Sequence, residues 1–285
     1  MTAAIRSLLF VPADSERKIA RAADTDADAL ILDLEDSVAP DAKPDARSAV
    51  RDVASTKTLF VRINPLPLGM AEDDLTAALT CRPFAVVLPK ANGGTDVAAL
   101  DALLNAHEAQ AGIQEGTTRI LAIATETAAG TLAAASHVGA SDRLWGLTWG
   151  AENLAADVGA LSKRRPDGRY RDTFRFARAQ ALLGAVAAGV EPVDTVFPNF
   201  RDLEGFRREC EEAVLDGFTA KMAIHPAQVP LINEAFTPSA EAVAEAKAVV
   251  DAFQAAGHPG VVSLDGRMLD RPHLLNARKV LARAR

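Results

Sequence analysis

Apolar positions cluster in short continuous runs, and polar or charged residues close most of them. Eight such runs stand out: Ser7–Pro12, Ala29–Asp36, Thr58–Asn64, Ala85–Lys90, Arg119–Thr127, Arg143–Gly150, Asp194–Asn199 and Lys221–Pro226. A continuous apolar run predicts a parallel strand covered on both faces. The segments between them, rich in Ala, Leu, Glu and Arg, predict helices. Eight strand–helix units in one chain predict an α/β fold, a (β/α)8 TIM barrel with a C-terminal helical tail. The boundaries expected are 1–256 for the catalytic barrel and 257–285 for the tail. In such a barrel the C-terminal strand ends share one mouth, where the active site sits. The residues closing the runs therefore converge there: Glu35 and Asp36, Arg62, Lys90, Glu126, Glu152 and Asn153, and His225.

Finer signals fill in the connections. Asp14–Ala23 opens with Asp and Ser and predicts a first helix with its own cap. Pro40 and Pro44 predict a polar loop over the mouth, and Leu161–Arg171 a second, strongly charged one. Helices are predicted from Asp172 and over Ser239–Ala256. Gly257-His258-Pro259-Gly260 reads as a break. The tail beyond it packs on its own barrel or on a neighbouring subunit.

Composition narrows the class. The 285 residues suit one large domain, since a barrel needs about 250. Apolar residues make up 49% and charged residues 24%, which is ordinary for a chain with a full core. A net charge of −7 argues against nucleic acid as a partner. Cys81 and Cys210 are too few for a disulfide framework, so a cytoplasmic location is expected. The first apolar run is too short for a membrane span and lacks the layout of a signal peptide. P-loop, dinucleotide, serine-nucleophile and zinc-spacing motifs are missing.

Several residues have types suited to chemistry. Glu126, at the end of a strand, suits a hard cation or equally a helix's first turn. Asn153 would face the same mouth and could add an amide oxygen. Arg62 offers a planar fork to a substrate carboxylate, or pairs with Glu35 or Asp36. Asp33 and Glu35 share one face, and either can orient Arg62. Lys90 pairs with these carboxylates, and His225 reads as structural. Arg17 and Lys18 sit in a basic group that could meet cofactor phosphates or simply face water.

Together these segments resemble the HpcH/HpaI aldolase–citrate lyase superfamily, in its citrate lyase beta-subunit-like branch. The resemblance spans nearly the whole chain: Arg6–Ala13, Leu32–Val38, Val61–Asn64, Leu88–Lys90, Glu126–Gly130, Gly150–Asp157, Ile224–Val229 and Asp265–Arg278. It implies a homotrimeric or hexameric lyase that uses Mg2+. Such enzymes cleave or form C–C bonds in 3-hydroxy-acyl thioesters such as citryl-, malyl- or citramalyl-CoA. By position, Arg62 would bind the keto-acid carboxylate and Glu126 would ligate Mg2+. The second metal ligand falls on Asn153, where the family usually has Asp. Asp270 would enter a neighbour's site as an acid/base, and Arg17 and Lys18 would approach CoA phosphates.

The expected partners are a keto acid and an acyl-CoA or acyl-carrier-protein thioester, with neither nucleic acid nor membrane. Two alternatives stand beside the lyase. One is a metal-dependent pyruvate aldolase that uses no CoA. The other is a catalytically impaired homologue with a binding or assembly role, which Asn153 would explain.

Overall fold

The structure is a computed structural model, and it describes residues 4–51, 53–257 and 259–284. Eight strands close into a parallel barrel in sequence order. They are β1 (Ser7–Pro12), β2 (Ala29–Asp33), β3 (Thr58–Arg62), β4 (Ala85–Leu88), β5 (Arg119–Thr125), β6 (Leu144–Trp149), β7 (Glu191–Asp194) and β8 (Ala220–Ala223). Ser7 lies opposite Lys221, which joins β1 to β8 and shuts the ring. The helices are α1 (Glu16–Ala23), α2 (Lys43–Arg51), α3 (Ala71–Ala78), α4 (Gly94–Gln110), α5 (Ala128–Leu132), α6 (Ala151–Asp157), α7 (Asp172–Ala188), α8 (Leu203–Asp216), α9 (Val229–Ala235), α10 (Ala240–Ala255) and α11 (Arg271–Arg283).

Alternation along the strands divides the core in two. Leu8, Ile31, Phe60, Val87, Leu121 and Met222 belong to the cluster that fills the barrel. Phe60, Phe84 and Trp145 meet within it, at 5.2–5.8 Å between ring centroids. The intervening residues, such as Val86, Leu88, Ile120 and Ala122, pack outward against Leu75, Leu100 and Leu104 of the helices. Both strand faces are thus apolar, which is why the runs read as continuous.

The strands are shorter than the apolar runs, and the reason is local. Asp33 accepts hydrogen bonds from the backbone N–H of Glu35 and Ser37, at 2.9 and 3.2 Å. That turns the chain out of β2 before Glu35. β7 is displaced from the predicted run Asp194–Asn199. Its ladder uses Glu191–Asp194, a Pro-containing stretch with polar ends, and the apolar Val196 and Phe197 lie beyond it. The Pro40–Pro44 loop also differs. Residues 40–42 form a 3-10 turn, and Pro44 sits in the first turn of α2, where its missing N–H costs nothing. The first helix starts at Glu16, capped by Ser15.

Two compact units emerge, one spanning Ile5–Asn233 and the other beginning at Glu234. The second contains α10, a hairpin of β9 (Val261–Leu264) and β10 (Arg267–Asp270), and α11. Its own small core includes Val249, Phe253, Val262, Leu269 and Leu274. His258 of the predicted break lies outside the described residues. No helix among the described residues is long and apolar enough to cross a membrane.

Candidate active site

The C-terminal strand ends surround a cavity of about 320 Å³. Arg62, Glu126, Asn153 and Asp36 form its polar side; Phe10, Ile123, Val196 and Met222 form much of its apolar side.

Glu126 lies just past β5 and is 3% exposed. Its Oε1 accepts from the Asn153 side-chain amide at 2.7 Å, and its Oε2 from the Lys90 backbone N–H at 2.8 Å. Lys90 adopts a left-handed backbone, φ +52°, which is uncommon for a residue with a Cβ. Gly150 is the other requirement: a Cβ there would sit 2.6 Å from Glu126 Cγ. Burial raises the carboxyl's pKa, and the hydrogen bonds from Asn153 and Lys90 offset this only in part.

Arg62 closes β3. Its Nε and Nη2 donate to Asp33 Oδ1 and Oδ2, at 2.7 and 2.6 Å. Nη1 is 2.9 Å from Glu35 Oε2, out of hydrogen-bond alignment. Guanidinium N–H groups therefore remain for a ligand, since Arg carries five. Burial disfavours its charge, but Asp33 and Glu35 outweigh this and raise its pKa. Burial likewise opposes ionisation of Asp33, yet the Arg62 bonds prevail and lower its pKa. Burial pushes Glu35 up to about 6, against the pull of Arg62 and Lys90. Lys90 Nζ pairs with Glu35 and, at 3.3 Å, with Asp36. Those contacts overcome its partial burial and raise its pKa, so it is an ammonium at neutral pH, not a free amine.

The other sequence-derived candidates have different surroundings. Arg17 and Lys18 are exposed in the first turn of α1 and do not line the cavity. Glu152 lines it but pairs with Lys163. His225 stacks on Phe200, with centroids 4.8 Å apart, and accepts from the Ala227 N–H at 3.2 Å. Asp270 belongs to the second unit, where it begins α11, 2.6 Å from His273 Nδ1. Sequence reasoning missed Lys43, whose buried Nζ holds the carbonyls of Leu34 and Glu35 at 2.9 and 3.1 Å. It also missed Gly150 as the space Glu126 needs, and Thr195 as part of the cavity wall. A glycine opening a helix directly after a strand was the available signal for Gly150.

The residues fit a hard divalent cation. Asn153 Nδ2 lies 2.7 Å from Glu126 Oε1 and 3.2 Å from Asp36 Oδ2, so three oxygen-bearing side chains meet at one point. Turning the Asn153 amide over presents its oxygen to that point. The groups that bond the buried Glu126 carboxylate directly, the Asn153 amide and the Lys90 backbone N–H, are neutral, so a cation there would add counter-charge. Among the described residues no three His, Cys, Asp or Glu side chains form a ready cluster. Mg2+ does not need one, because it keeps waters and uses few protein carboxylates.

The structure is thus a closed parallel barrel with a carboxylate, an amide and a guanidinium at its mouth, and comparison supplies the family. Residues 6–226 match the HpcH/HpaI aldolase/citrate lyase family, and residues 175–285 match a family of C–C bond lyases of the TIM-barrel fold. The chain belongs to the HpcH/HpaI aldolase/citrate lyase family. It is 37% identical to a citrate lyase subunit beta-like protein of Mycobacterium tuberculosis, over 97% of this chain and 94% of that one. It is 34% identical to a (3S)-malyl-CoA thioesterase of Cereibacter sphaeroides, over 98% and 94%. It superposes with a TM-score of 0.80, at 37% identity, on CitE from M. tuberculosis in complex with magnesium, acetoacetate and coenzyme A. That match covers 100% of this chain and 99% of the other.

Proposed function

We propose that this chain is a C–C lyase that cleaves, or forms, a 3-hydroxy-acyl thioester of the citryl-, malyl- or citramalyl-CoA type. The observation that carries this reading is the convergence of Arg62, Glu126 and Asn153 on one cavity. Its support is the likeness to relatives whose structures hold magnesium with acetoacetate and coenzyme A, or with pyruvate.

In the cleavage direction the hydroxyl loses its proton, the bond between the carbinol carbon and the thioester's α-carbon breaks, and a keto acid and a thioester enolate result. The enolate then takes up a proton at the α-carbon. Arg62 clamps the keto-acid carboxylate with its free N–H groups, held in register by Asp33. Glu126 and Asn153 would hold Mg2+, which supplies Lewis-acid stabilisation of the oxygen that becomes the keto group. Asp36, exposed and 3.2 Å from Asn153 Nδ2, would take the hydroxyl proton. Asp270, brought in from a neighbouring subunit of a homotrimer or hexamer, is the proposed acid/base at the α-carbon. Arg17 and Lys18 would meet the CoA phosphates. The apolar wall keeps water from the enolate.

The thioesterase among the relatives favours a second reading, hydrolysis of the same thioester. Incubation with Mg2+ and malyl-CoA, followed by mass spectrometry, separates the two. Lyase action yields a shorter acyl-CoA and a keto acid, whereas hydrolysis yields free CoA and malate. Neither product from malyl-, citramalyl- or citryl-CoA would refute both.

A further inference from the structure

Thr195 is the first residue after β7, and it lines the cavity. It is 1% exposed, yet its Oγ1 has no hydrogen-bond partner. A buried hydroxyl without a partner costs stability, so its presence at this wall calls for an account. Its position is tightly fixed. The Thr195 carbonyl accepts from Lys221 Nζ at 2.8 Å. The preceding Asp194 is wholly buried and is held by Lys221 Nζ and Trp149 Nε1, both at 2.7 Å, and by Arg178 Nε at 3.2 Å. Val193 faces the barrel interior, and Thr195, two residues on, continues that face. A turn of about 120° about Cα–Cβ carries the hydroxyl into a neighbouring rotamer well, so it can be offered to a ligand.

The ring order places Thr195 on the far side from Arg62. β3 and β7 are four strands apart in a closed ring of eight, and so lie across it. Val196, Met222 and Ile224 also line the cavity, and Thr195 brings a hydroxyl among these apolar residues.

We propose that the Thr195 hydroxyl hydrogen-bonds an oxygen at the end of the substrate remote from the Arg62-bound carboxylate, and so selects keto acids with a second oxygen function over those ending in a methyl. The proposal rests on the keto-acid reading above and adds a specificity determinant to it. Oxaloacetate carries such an oxygen, and pyruvate ends in a methyl.

Calorimetric titration in Mg2+ of the wild type, Thr195→Val and Thr195→Ser with freshly prepared oxaloacetate and with pyruvate tests it. Thr195→Val is expected to weaken oxaloacetate binding by about tenfold, the effect of one hydrogen bond, and to leave pyruvate binding unchanged. Thr195→Ser is expected to restore oxaloacetate binding. The free Thr195→Val protein is expected to melt no lower than the wild type, because no made bond is lost. Equal oxaloacetate affinity in wild type and Thr195→Val would overturn the proposal. So would an equal loss of both ligands, which would mark a packing role. A drop in melting temperature of more than about 4 °C would overturn it too, by showing that the hydroxyl is already bonded in the free protein. Failure of the wild type to bind either keto acid is a different result: it would overturn the keto-acid reading itself, and this proposal with it.

Discussion

Asn153 donates its side-chain amide to Glu126 Oε1 at 2.7 Å. A neutral donor thus quiets a buried carboxylate whose pKa burial already raises. An aspartate at 153 would instead set a second negative charge against Glu126.

Replacement Asn153→Asp therefore has two effects of opposite sense. Without metal the variant is destabilised by about 1 kcal/mol, through like-charge repulsion and the lost hydrogen bond. With Mg2+ it binds the ion at least about tenfold more tightly than the wild type, because two carboxylates neutralise it better than one. Calorimetry and thermal melts with and without Mg2+ measure both.

Gly150→Ala probes the same carboxylate from the backbone side. The new Cβ would meet Glu126 Cγ at 2.6 Å and Oε1 at 2.7 Å, so Glu126 must leave its hydrogen bonds. The backbone at 150 is extended, φ −136°, and accepts alanine without strain. The barrel should stay folded by circular dichroism while Mg2+ affinity falls about tenfold or more.

Arg62→Lys tests whether the fork or the charge matters. A lysine cannot reproduce the paired bonds to Asp33 at 2.7 and 2.6 Å. It leaves Asp33, 1% exposed, poorly matched. We expect a loss of about 2–4 kcal/mol in urea unfolding and pyruvate binding weakened by about tenfold or more.

Asp194 governs the acid limb of stability. Burial opposes its ionisation, but Lys221 and Arg178 prevail and hold its pKa below the ordinary 3.8. The folded state thus binds this proton less readily than the unfolded chain. The stability it contributes is complete above about 3.8 and is lost as pH falls below that. Asp194→Asn leaves Lys221 with a poorer partner in the interior, so it should cost about 3–5 kcal/mol at pH 7. The variant's melting temperature should also fall less steeply than the wild type's between pH 4 and pH 2.5, both of these being ordinary assay values.

The barrel was legible because both faces of each strand are buried, which leaves unbroken apolar runs. β7 was misplaced because Glu191 and Pro192 look unlike a strand, whereas Val196, which lines the cavity, and Phe197, which packs on Phe206, look like one. The mouth positions of Arg62, Glu126 and Asn153 followed from strand ends alone. Their partners did not. Lys90 reaches Glu126 through its backbone N–H in a left-handed turn, which residue type does not announce. Lys43 holds the Leu34–Glu35 turn from the next helix, a contact set only by tertiary packing. Thr195 looked like one more residue of an apolar run.

Diffraction from a crystal grown with Mn2+, a redox-stable stand-in for Mg2+, and pyruvate tests the central claim most directly. An anomalous peak about 2.2 Å from a Glu126 carboxylate oxygen, with the pyruvate carboxylate on Arg62, is the expected result. A cation bound away from Glu126, or pyruvate that leaves Arg62 untouched, would contradict it.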